Sequence, residues 1–88
     1  MGSYDVVWKS SAEKDLYRLD RQYVPRMTRA VEALSQNPFP PQIVKIEKSE
    51  HMYRLRVGDY RIVYEVNAKS RTLTIHYIRH RKDVYRRL

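Results

Sequence analysis

Met52-Tyr53-Arg54-Leu55-Arg56-Val57-Gly58-Asp59-Tyr60-Arg61-Ile62-Val63-Tyr64-Glu65-Val66 carries most of the fold information in this chain. On either side of Gly58-Asp59, apolar and aromatic residues alternate with polar ones, the period of strands that turn one face to a core. Gly58-Asp59 is the most turn-prone pair present, and Gly58 takes the positive φ of a tight hairpin without a Cβ clash. The period predicts Tyr53, Leu55 and Val57 on one face of the first strand, with Met52, Arg54 and Arg56 on the other. On the second strand Tyr60, Ile62, Tyr64 and Val66 form the apolar set, opposite Arg61, Val63 and Glu65. With the apolar faces aligned, Arg54, Arg56 and Arg61 leave the sheet together. Guanidinium groups so placed repel one another, and an anionic partner is the physical reason to keep them there.

Outward from the hairpin, residues 4–8 alternate as a short strand with Tyr4, Val6 and Trp8 on one face. Ser10 stands three residues before Glu13, the spacing of a capping box at a helix start. Ala12, Leu16 and Leu19 recur at helical spacing and predict an amphipathic helix over 11–20. A second helix is expected from 21 or 24 to 36, with Tyr23, Met27, Ala30, Val31 and Leu34 as its apolar stripe, Arg26 and Arg29 outside, and Pro25 in its first turn. Asn37-Pro38-Phe39-Pro40-Pro41 ends that helix and forces an extended connection. Residues 43–47 read as a short strand or an extended lead-in. After a turn at Asn67-Ala68-Lys69-Ser70, residues 72–79 form the last strand, with Leu73, Ile75 and Tyr77 against Thr74, His76 and Ile78. A terminal helical turn is expected over 83–88. The pattern is α+β: an antiparallel twisted sheet of about four strands in the order β-α-α-β-β-β, with both helices on one face and the arginines on the other.

Eighty-eight residues without repeats or a long linker predict one domain, 1–88. The net charge of +8 is uneven. Residues 1–50 hold eight Lys/Arg against seven Asp/Glu, and residues 51–88 hold ten against three, so the second half is a polycation suited to nucleic acid or another anionic surface. Cysteine is absent, which excludes disulfides and thiolate zinc sites. No apolar run reaches bilayer length and no signal-peptide core opens the chain, so a soluble cytoplasmic protein without membrane association is expected.

Two glycines cannot build a nucleotide-binding glycine loop. His76 and His80, four apart on one predicted strand face, lack the Cys, Asp or Glu neighbours of a metal site. Glu65 is alone among carboxylates on the arginine face, where it can anchor an arginine or, by strand parity, act as a base. What remains is a surface of Arg54, Arg56, Arg61, Arg79, Arg81, His80 and Tyr85. Metal-independent RNA cleavage needs a base for the ribose 2′-hydroxyl, cations around the phosphate and an acid for the departing 5′ oxygen. An aromatic ring adds a platform for a splayed base.

The run from Tyr53 to Val66, followed by Ile78-Arg79-His80-Arg81-Lys82-Asp83-Val84-Tyr85, resembles the RelE/ParE toxin superfamily, and more closely its RelE-type members in type II toxin–antitoxin systems. The resemblance implies a ribosome-dependent mRNA endonuclease that uses no metal or small-molecule cofactor. It further implies attack by the 2′-hydroxyl, a cyclic phosphate product, contact with 16S rRNA and mRNA, and neutralisation by a cognate antitoxin. Arg61 falls where the family keeps a phosphate-holding arginine, Arg79 where it keeps an arginine serving the leaving group, and Tyr85 where a tyrosine orients the nucleotide. Arg54 and Arg56 replace lysines. Arginine stays protonated, so these two and Arg81 bind phosphate or ribosomal RNA and do not accept a proton. His80 is then the expected base, with His51 and His76 behind it. Two other readings keep the fold: a ParE-type inhibitor of DNA gyrase, and an inactive homologue serving as antitoxin partner or co-repressor.

Overall fold

The computed structural model describes residues 3–80. The expected terminal turn at 83–88, and the candidates Arg81 and Tyr85, lie outside the described residues. The predicted hairpin forms from β3 (Met52–Val57) and β4 (Tyr60–Asn67), joined by Gly58-Asp59 with Val57 opposite Tyr60. Gly58 has φ +61° and Asp59 does not share the positive region, the pattern of a type II′ turn whose twist matches that of the strands. The other strands are β1 (Asp5–Trp8), a two-residue β2 (Val44–Lys45) and β5 (Thr72–His80).

The sheet runs β1-β5-β4-β3-β2. Among the described residues it has five strands, and it is mixed where an antiparallel sheet of about four was expected: β1 lies parallel to β5, with Asp5 opposite Thr72 and Trp8 opposite Ile75. Periodicity fixes which face a strand buries and is silent on which partner it takes.

Helix α1 (Ser10–Arg18) and α2 (Val24–Gln36) pack on one face, with a 3-10 turn at Arg21–Tyr23 between them. Pro25 sits in the first turn of α2, where its missing N–H breaks no intrahelical bond. The core unites Ala12, Met27, Val31 and Leu34 of the helices with Leu55, Ile62, Tyr64, Val66, Leu73, Ile75 and Ile78 of the sheet. Met27, Leu34, Ile62, Leu73 and Ile75 are fully buried, each contributing about 1.5–3 kcal/mol by removing apolar surface from water. Tyr64, equally buried, donates its hydroxyl to the Pro38 carbonyl at 2.8 Å, tying the helix-stopping loop to the centre of the sheet.

Two local expectations change. Ser10 does not cap α1; the cap position is Lys9, and no side chain bonds there. The reason is that the helix start is used to seal the edge of β5, which runs on beyond its partner β1. Lys9 N–H donates to the Ile75 carbonyl (3.0 Å), the Ser11 hydroxyl to the His76 carbonyl (2.6 Å), and Asp15 Oδ2 accepts the Ile78 N–H (3.0 Å). Strand β5 also does not alternate throughout. Val63 is opposite Tyr77 but Tyr64 is opposite Ile75, so His76 is an extra residue in a β-bulge. Past the bulge the alternation is reversed: Ile78 enters the core at 3% exposure and Tyr77 leaves it.

Candidate nucleic-acid interface

Register places the arginines in a row across the face opposite α1 and α2. Arg56 of β3 is directly opposite Arg61 of β4, and Arg61 is directly opposite Arg79 of β5. Cross-strand neighbours of this kind are roughly 5 Å apart at the backbone. The next row along the strands is Arg54, Val63 and Tyr77, and beyond it come Met52, Glu65 and Thr74. The face is less open than the sequence suggests, for Val63 is only 4% exposed and Arg61 Nη1 is sealed from solvent.

Like charges directly opposite one another are destabilising, and the side chains splay to relieve it. Arg56 turns to the hairpin, where its Nε donates to the Gly58 carbonyl at 3.0 Å. Arg79 turns the other way, lies over the Tyr77 ring (4.7 Å to its centroid) and forms an ion pair with Asp15 of α1. Arg61 stands between them. The structure thus brings Arg54, Arg56, Arg61 and Arg79 to one face, with Arg79 engaged at its margin.

His80 is not on that face. The reversed alternation puts it with Ile78, opposite Tyr60, and its ring meets the Tyr60 ring edge-on at 5.1 Å. Tyr60 in turn packs on Tyr23 of the 3-10 turn, on the helix side of the sheet. The expectation that His76 and His80 share a face is corrected by the bulge between Tyr64 and Val63. Glu65 differs as well: it bonds His76 Nε2 through Oε1 at 2.9 Å, where an arginine partner was expected. His51 is exposed and lies 3.7 Å from its neighbour Glu50.

One residue and one pairing escaped the sequence reading. Asp15 is a nearly buried carboxylate (8% exposed), and its only local signal is an acidic residue three positions after Ala12, on the flank of the apolar stripe. Alternation puts Glu65 and His76 on the same face, but that they meet is set by the β4–β5 register, which no single segment carries. Tyr64 is not a candidate for proton transfer: burial, reinforced by Tyr53, drives its phenol far above the ordinary value, and its hydroxyl is committed to Pro38.

The described residues, two helices on a mixed sheet with an arginine row on the face opposite them, define the class: a RelE-like toxin fold. A Pyrococcus horikoshii RelE, solved as a RelE–RelB complex, matches with a TM-score of 0.80 and 28% identity over 90% of this chain and 96% of that one. The Mycobacterium tuberculosis RelBE2 toxin–antitoxin complex contains a chain of the same fold, with a TM-score of 0.82 and 23% identity over 92% of this chain and 94% of that one. A Methanocaldococcus jannaschii protein carrying the toxin name RelE1 is 30% identical over 76 residues, 83% of this chain and 84% of its own length. Residues 6–85 match the family described as the ParE toxin of type II toxin–antitoxin systems. The chain belongs to this family, as a toxin of the RelE/ParE superfamily.

Proposed function

We propose that this toxin is a ribosome-dependent endoribonuclease, acting in the cytoplasm on mRNA held against 16S rRNA and neutralised by a cognate antitoxin. The observation that carries the reading is the in-register row Arg56-Arg61-Arg79 on the sheet face that the helices leave uncovered. Guanidinium groups on adjacent rigid strands can bind a phosphate through paired hydrogen bonds and stabilise the charge that builds during in-line attack by the 2′-hydroxyl. In this reading Arg61, aimed from mid-strand, holds the scissile phosphate, while Arg54 and Arg56 bind flanking phosphates. Arg79 serves the leaving group on exchanging Asp15 for RNA. Arg81 and Tyr85 keep the roles their resemblance implies, as phosphate contact and base-orienting ring. Antitoxin complexes of the RelE relatives support the partner.

The match to the ParE family favours a second reading, inhibition of DNA gyrase. One assay separates the two. The protein is added to a cell-free translation reaction, and mRNA 5′ ends are mapped on translated and untranslated transcripts. Cuts confined to translated mRNA support the nuclease; gyrase–DNA cleavage complexes with intact mRNA support the alternative. Arg61→Ala is expected to slow cleavage by more than about ten-fold, the scale of losing one transition-state cation. Cleavage at the wild-type rate would remove Arg61 from the mechanism.

A further inference from the structure

Arginines bind the phosphate but leave the reaction without a proton acceptor, and His80 is on the wrong side of the sheet to supply one. On the arginine face, the described residues offer a carboxylate–imidazole pair instead. His76 follows Thr74 on this face by simple alternation, the bulge turns Tyr77 out beside it, and Glu65 of β4 accepts from its Nε2 at 2.9 Å. The histidine side chain is 19% exposed and the glutamate 43%, so the pair is sheltered while its carboxylate edge reaches solvent. Because a carboxylate only accepts, Nε2 must carry the hydrogen, and this leaves Nδ1 as the basic nitrogen of the neutral ring. A histidine oriented in this way by a carboxylate is the arrangement that makes imidazole an effective general base.

Position supports the role. Val63, buried at 4% exposure, separates Arg61 from Glu65 along β4. Two residues along a strand span about 7 Å, so Arg61 and the Glu65–His76 pair stand about that far apart on either side of Val63. Arg54 and Tyr77 flank it in register on β3 and β5. Arg79 lies three residues beyond His76 along β5, and Lys9, whose amide bonds the Ile75 carbonyl, follows β1 beside that strand. Arg54 and Arg61, carried on the same face by the neighbouring strands, would draw an RNA phosphate toward the pair.

We propose that His76, oriented by Glu65, is the general base of the cleavage reaction, an inference that rests on the nuclease reading above. The 2′-hydroxyl proton passes to His76 Nδ1 as the 2′ oxygen forms its bond to phosphorus. The bond from phosphorus to the 5′ oxygen breaks. That oxygen keeps the electron pair and takes a proton from water, and the imidazolium returns its proton to solvent. His76 would act on substrate directly, and Glu65 is the positioning residue.

The test uses purified ribosomes programmed with a defined mRNA and measures single-turnover cleavage against pH. His76→Ala is expected to lower the rate about 100-fold, and added imidazole to restore part of it. Glu65→Gln keeps an acceptor for Nε2–H but removes the charge. It is expected to slow cleavage about ten-fold and to displace the rising limb of the pH–rate profile, which a purely structural role would not do. Melting curves of both variants separate chemistry from folding, and should His76→Ala unfold, Glu65→Gln decides. If the wild type cuts and both variants cut within roughly three-fold of it with an unmoved pH profile, the pair merely braces the bulge and the assignment is overturned. If the wild type leaves translated mRNA intact, the nuclease reading fails and this assignment falls with it.

Discussion

Asp15→Ala should be the most damaging single polar truncation in the described fold. One oxygen of this carboxylate accepts both the Ile78 N–H, at 3.0 Å, and the Arg79 guanidinium. Its side chain is 10% exposed and that of Arg79 is 24% exposed, so water replaces neither bond fully. Truncation strands a backbone N–H at the edge of β5, which costs about 1–3 kcal/mol. It also removes the partner of a largely buried charge; breaking a fully buried pair costs about 3–5 kcal/mol, a figure reduced here because Arg79 retains some access to water. A combined loss of about 3 kcal/mol is a large share of the roughly 5–15 kcal/mol that holds a domain together. For a chain of this length it corresponds to a fall in Tm of about 12–24 °C. Asp15→Asn keeps an acceptor for Ile78 and loses only the charge, so it should fall between the two. Urea unfolding of wild type, both Asp15 variants, Arg79→Met and the Asp15→Asn/Arg79→Met double variant closes a cycle, with a coupling of about 1–3 kcal/mol expected. A loss below about 1 kcal/mol for Asp15→Ala, or additivity in the cycle, would refute the view that Asp15 anchors both the strand edge and the arginine.

Tyr64→Phe removes the hydroxyl that satisfies the buried Pro38 carbonyl and should destabilise by about 1–3 kcal/mol in urea unfolding at neutral pH. The same phenol titrates well above its ordinary value in the folded state, so the unfolded chain loses this proton first as pH rises past about 10. Wild-type stability should therefore be intact below that range and fall above it, more steeply than in Tyr64→Phe; parallel alkaline profiles would contradict the assignment. Gly58→Ala places a Cβ at φ +61° and 3.1 Å from Arg26 Nη1, and should lower stability by about 1 kcal/mol or more in thermal unfolding, with Arg26→Ala relieving only the contact part of the loss.

Much of the architecture is readable from local pattern. Alternation at Tyr53–Val57 and Tyr60–Val66 assigns the buried and basic faces of the hairpin correctly, and the stripe Met27, Val31, Leu34 finds the core side of α2. These features follow from periods of two and 3.6 residues, which each segment carries by itself. The arginine face is equally legible, because it is the complement of the buried one. Partner and register are different in kind, since they depend on contacts between segments distant in the chain. Nothing within residues 4–8 specifies that β1 runs parallel to β5, and nothing within 72–80 marks His76 as the extra residue opposite Val63 and Tyr64. That one-residue insertion sends Tyr77 and Arg79 to the basic face and sends His80 behind the sheet to Tyr60. A strand slipped by one residue exchanges its faces, so chemistry that depends on which side chains meet is set by packing of the whole fold, while the chain's own pattern sets only what there is to meet.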